Sequence, residues 1–128
     1  MSQTIHQVVV IQANPQRVYG ALLDSLQFSE FTGAPAEIHG EEGGPFSCFG
    51  GMIRGRNIEL KPGRRIVQAW RAGNWPEGTY SIVRFELEAE GSETKLTLDH
   101  AGFPQGDADH LDSGWHKMYW NPLKKYLA

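Results

Sequence analysis

The chain has a single cysteine among 128 residues, so no internal disulfide is available and a reducing compartment suits it. Cys48 sits between Phe46 and Phe49 with no lysine or arginine beside it, the setting of an inert buried thiol rather than a low-pKa nucleophile. There is no charged segment leading into a long apolar run at the start, and no apolar stretch approaches membrane-spanning length. A cytoplasmic protein with no membrane partner is the expectation. Lysine and arginine are scattered singly and the formal net charge is -3, so no basic stripe exists to neutralise phosphates and no nucleic-acid partner is expected. Arg54 and Arg56, which share a face of a candidate strand, read as a solvated sheet face.

Chemical motifs are also missing. Gly43-Gly44 is not followed by the Gly-Lys-Ser or Gly-Lys-Thr of a phosphate loop, and Gly50-Gly51 leads into a strand rather than a helix. None of the serines has a Gly-x-Ser-x-Gly elbow. His110 and His116 are six apart and so fall on different faces of a helix, which predicts no metal site; no cofactor is implied. Asp112 and His116, four apart, read as a weak exposed pair, and His6 and His39 as isolated strand-end or surface residues.

What is present is the size and composition of one α+β domain over 1–128, with 40% hydrophobic and 21% charged residues. The β-branched run Ile5 to Ile11 ends at Ala13-Asn14-Pro15, where Asn14 can cap a helix and Pro15 pre-sets its first dihedral. That helix carries Val18, Leu22 and Leu26, and a second short one through Phe28 and Phe31 stops at Gly33. Beyond Ala34, turn residues separate extended runs near 35–39, 46–60, 64–71, 79–89 and 93–100, the second bent or split at Gly50-Gly51. Val83, Phe85 and Leu87 alternate with charged residues, as Leu96 and Leu98 do with polar ones, so one sheet face is wet and the other covered. Finally, Asp107 is placed to cap a helix with Leu111, Trp115, Met118, Tyr119, Leu123 and Tyr126 on one apolar stripe, which Pro122 should kink or end.

This order of strand, two short helices, antiparallel meander and long C-terminal helix resembles the helix-grip, START-like (SRPBCC) arrangement, a curved sheet around the last helix. Three segments narrow the resemblance: Gly50-Gly51-Met52-Ile53-Arg54-Gly55; the run from Glu59 through Lys61-Pro62-Gly63 to Trp70-Arg71; and Trp75-Pro76-Glu77-Gly78. Together with Gly114-Trp115 and Tyr119-Trp120, they are similar to the C-terminal domain of the activator of heat-shock-protein-90 ATPase. The resemblance implies this fold, and either co-chaperone behaviour or membership of the small single-domain relatives. Superfamily likeness further implies an apolar ligand space between sheet and helix.

Three functional readings follow. The first is a small apolar or aromatic ligand held between sheet and helix by Trp70, Phe85, Leu98, His100, Trp115 and Tyr119. The second is a chaperone partner engaged through Arg71, Trp75 and Pro76, residues that equally well clamp their own hairpin. The third is a cyclase-, hydratase- or dehalogenase-type enzyme using His100, which alternation turns toward the covered face while Asp99 points away. A histidine so placed is as readily a satisfied core residue. An exposed Tyr119-Trp120 pair or a sheet edge would serve a homodimer; otherwise the chain is a monomer.

Overall fold

The computed structural model describes residues 4–128. Seven antiparallel strands form one sheet, β1 (Thr4–Ile11), β2 (Ala36–Ile38), β3 (Pro45–Cys48), β4 (Ile53–Lys61), β5 (Arg65–Ala72), β6 (Ser81–Glu90) and β7 (Glu93–Ala101), in the order β1-β7-β6-β5-β4-β3-β2. The meander from β2 to β7 is built by consecutive hairpins, and β1 closes the far edge against β7. The expected split falls where the glycines predicted it: a 3₁₀ turn at Phe49–Gly51 separates β3 from β4. Alternation holds along β6 and β7, where Val83, Phe85, Leu87, Leu96 and Leu98 are buried.

Between β1 and β2 lie α1 (Pro15–Leu23) and α2 (Ser25–Thr32). The Asn14 side chain accepts from the Arg17 amide at 2.9 Å, as a cap should. α1 is shorter than the apolar spacing suggested. Asp24 starts a new helix by accepting from the Gln27 amide at 2.9 Å, so Leu26 belongs to α2 and points to solvent, 67% exposed.

The C-terminal helix runs from α3 (Ala108–Gly114) through a π-helical stretch (Trp115–Trp120) into α4 (Asn121–Leu127). Backbone angles stay right-handed helical at Gly114, Trp115, Trp120 and Asn121, so the helix continues through Pro122. The regular α ladder is interrupted just upstream of the proline, where a wider turn accommodates a ring that can neither donate nor fit beneath the preceding carbonyl. That turn also resets the buried face. Leu111, Trp115, Tyr119, Trp120, Leu123 and Leu127 point inward, whereas Met118 is 46% and Tyr126 36% exposed, outside the predicted stripe.

Close approach of strands is permitted at Gly55, where an added Cβ would collide with the Ala69 carbonyl and the Phe46 ring.

Candidate functional site

The core beneath the C-terminal helix is an aromatic lattice. Trp115 stacks on Trp120 with centroids 5.7 Å apart and lies 5.6 Å from Trp70, while Phe85 meets both Trp115 and Trp120 edge-on. Phe28, Phe49 and Tyr119 continue it toward α2. Such edge and tilted contacts fill space at interior density. The enclosed void left between Leu22, Phe28, Cys48, Gln68, Phe85 and Tyr119 is about 10 Å³, too small for a ligand.

Several polar groups threaded through this lattice make their hydrogen bonds within it. At the end of β7, His100 is fully buried among the rings of Trp70, Phe103 and Trp115. Its Nδ1 accepts from the Trp115 indole N–H at 3.1 Å, which places the proton on Nε2. Nε2 donates to Ser81 Oγ at 2.8 Å, and that hydroxyl donates to the Trp70 carbonyl at 2.9 Å. Burial drives the His100 pKa down to about 4, so the ring is neutral near pH 7. Both ring nitrogens are therefore committed to holding the helix and the hairpin together. Asp99 points to the other face, as expected: burial alone would raise its carboxyl, but bonds from His6 (2.7 Å) and Arg84 (3.1 Å) hold it below the usual carboxylate range.

Sequence reasoning missed two anchors. Gln7, inward on β1, accepts from Trp120 Nε1 at 2.7 Å and donates to the backbone carbonyl and carboxylate of Asp112, each at 2.9 Å. Asp112 is thus engaged by the sheet, in place of the expected pairing with His116. Trp120 is fully buried and Tyr119 is 6% exposed, so the pair forms core rather than a dimer surface. Alternation along β1 was the available signal, since it sets Gln7 on the same face as Ile5, Val9 and Ile11.

The Trp75 turn adopts the clamping arrangement. Trp75 is 6% exposed, its ring lies 5.7 Å from Trp70, and its Nε1 donates to Asp107 Oδ2 at 2.8 Å. Asp107 stands at the head of α3, but this bond takes its carboxylate in place of a cap to the helix amides. Arg71 closes the turn by donating to the Trp75 carbonyl at 2.8 Å. Pro76 is exposed, but Trp75 presents no free ring to a partner.

An open cleft does exist, at the rim rather than beneath the helix. It measures about 320 Å³ and lies between Phe49, Met52 and Ile53 on one side and Leu111, Gly114 and Met118 on the other. Of the six residues expected to line a ligand space, Trp70, Trp115 and Tyr119 reach this cleft; Phe85, Leu98 and His100 remain in the packed interior. Trp70 Nε1 is buried without a hydrogen-bond partner. Burial pushes the Tyr119 hydroxyl well above its ordinary pKa, with Cys48 adding to the rise and the Trp70 N–H opposing it weakly, short of hydrogen-bond geometry. Phe49 holds a left-handed backbone at φ 54°, strain located at the cleft wall. The Cys48 thiol beneath it is pushed up to about 12 by burial and is inert, as its neighbours predicted.

Comparison with known proteins places this architecture. The family model described as activator of Hsp90 ATPase homolog 1-like protein matches residues 12–128. The chain belongs to this family. Among its activator-type relatives, mouse activator of 90 kDa heat shock protein ATPase homolog 2 is 28% identical over 96% of this chain and 37% of its own length. The Dictyostelium discoideum homologue is 32% identical over 88% of this chain and 30% of its own. The chain thus spans about a third of the length of these curated relatives. In three dimensions it superimposes on an HSP90 activator from Plasmodium falciparum with a TM-score of 0.92 and 26% identity, covering 97% of this chain and 95% of that one. The activator-family fold is therefore a helix-grip sheet around the C-terminal helix, as the sequence implied. No helix among the described residues is long and apolar enough to cross a membrane.

Proposed function

We propose that this chain is a chaperone-binding module that engages an Hsp90-type chaperone and modulates its ATPase. The family match across residues 12–128 carries this reading, and the near-complete overlay on an HSP90 activator of similar extent supports it. The filled interior points the same way. The void of about 10 Å³ beside Phe85 and Tyr119 offers no chamber for a substrate, so recognition falls to the outer surfaces. Titration calorimetry of the cognate chaperone with this chain, in the presence of a non-hydrolysable ATP analogue, is expected to give saturable binding in the micromolar range. Absence of heat and of co-sedimentation at tens of micromolar would contradict it.

A second reading is favoured by Trp70, which lines the rim cleft and whose Nε1 is a buried donor without a hydrogen-bond partner. Apolar walls with one unsatisfied donor suit a small aromatic molecule bearing a carbonyl or ring-nitrogen acceptor. In this reading Trp70, Trp115 and Tyr119 contact the ligand, while His100 positions Trp115 from behind.

A further inference from the structure

Three guanidiniums gather on the outer face of the sheet without an acidic partner. Arg54 on β4 lies directly opposite Arg71 on β5, and Arg56 follows two residues along on the same face of β4. Arg65 and Arg84, by contrast, are paired with Glu59, Glu86 and Asp99. Among the described residues the three form no ion pair. Their recorded bonds go to backbone carbonyls: Arg54 Nε to Gly51 at 3.2 Å, Arg56 Nη1 to Gly43 at 2.8 Å, and Arg71 Nη2 to Trp75 at 2.8 Å. Arg71 Nε is buried with no partner at all. Like charges directly opposite each other destabilise a sheet. Acidic residues outnumber basic ones in this chain, 15 to 12, so the arrangement is not a shortage of carboxylates. Local rules broken in this way are characteristic of binding sites.

Arg54 and Arg56 border a groove of about 670 Å³ lined also by Ser47 and Tyr80. The Arg71 guanidinium sits 5.8 Å from the Tyr80 ring centre. Glu37, a carboxylate at the groove's edge, is 82% exposed and turned to His39 at 3.7 Å.

We propose that this groove docks an extended acidic segment of a partner protein. Alternate residues of a strand are spaced by roughly 6.6 Å, and so are alternate side chains of an extended peptide. Carboxylates at positions i and i+2 of such a segment therefore match Arg54 and Arg56, each fork taking one carboxylate through two N–H donors. Arg71 adds its charge beside Arg54, and Tyr80 offers a ring to the peptide backbone. If the partner is the chaperone, the groove is one surface of the proposed function and rests on that reading. Docking of the acidic segment does not itself require it.

The test uses the full chain and a fluorescein-labelled peptide, Gly-Glu-Gly-Glu-Gly-Glu-Gly, read by fluorescence anisotropy at low salt. The expected results are saturable binding, loss of affinity as salt rises, and a drop of at least about tenfold in an Arg54→Gln, Arg56→Gln double variant. Ser47→Glu, which puts a carboxylate into the groove opposite Arg54, is expected to weaken the peptide equally; thermal melts confirm that both variants are folded. No binding, unchanged binding in both variants, or displacement by inorganic phosphate or by a DNA duplex as effective as unlabelled peptide would overturn the assignment. Chaperone binding that survives the double variant while the peptide is lost confines the groove to another partner. Arginine-dependent peptide binding with no chaperone binding removes the chaperone reading and leaves the groove.

Discussion

Trp115 donates its indole N–H to Nδ1 of His100 across 3.1 Å, and this buried bond pins the C-terminal helix to the end of β7. The bond exists only while Nδ1 is unprotonated. Trp70, Trp115 and Phe103 surround the ring, and Ser81 holds its other nitrogen, so no charged group is there to support an imidazolium.

A pH dependence follows directly. The His100 pKa is near 4 in the folded protein and near 6.5 when unfolded, so between these values the unfolded chain binds more protons. The contribution is fully present above pH 6.5, declines as pH falls, and is exhausted below about 4. Its size is on the order of 3 kcal/mol. Urea melts of the wild type and of His100→Gln at pH 7.5, 5.5 and 4 should show their stability difference shrinking by that order. A difference independent of pH would contradict the neutral, buried assignment. The lowered Asp99 carboxyl, on the other face of β7, is common to both proteins and cancels.

The Trp75–Asp107 bond ties the β5–β6 turn to the head of α3. Removing the carboxylate in Asp107→Ala leaves a largely buried indole N–H without its partner, at a cost of about 1–3 kcal/mol. Chemical denaturation should show that loss. A loss below about 0.3 kcal/mol would mean the turn does not depend on the helix.

Much of the architecture was legible because period-two alternation and glycine-marked turns are local signals. Gly50-Gly51 identified the break between β3 and β4, and Val83 to Leu98 identified the buried face. The C-terminal helix was read less well. A 3.6-residue period put Met118 and Tyr119 on the stripe; Tyr119 is inward, but across the π-helical turn Trp120 takes the other inward position and Met118 is exposed. No local pattern announces that turn beyond Pro122 itself. The partners of buried polar groups were illegible for a related reason: Gln7 and Trp120 are 113 residues apart, and Trp75 and Asp107 are 32 apart. Three of the six expected ligand-space residues reach a cleft because large rings filled the interior and displaced the open space to the rim.

Gly114 allows the cleft to be tested independently of stability. It has helical angles, φ -60° and ψ -38°, and an added Cβ would meet nothing within 4 Å. Gly114→Ala should therefore stabilise the helix by about 0.5–1 kcal/mol. Gly114→Leu should instead occupy the cleft. An aromatic ketone fragment such as acetophenone is expected to raise the melting temperature of the wild type and of Gly114→Ala, but not of Gly114→Leu. Equal shifts in all three, or none in the wild type at millimolar concentration, would remove the ligand reading.

The most direct test of the proposed function is the steady-state ATPase rate of the cognate Hsp90-type chaperone, measured while this chain is titrated in. The chaperone reading predicts a saturable change in turnover at chain concentrations near the calorimetric Kd, abolished by a specific chaperone inhibitor. A turnover rate that stays flat through saturation of binding, or a signal that persists with the inhibitor, would contradict it.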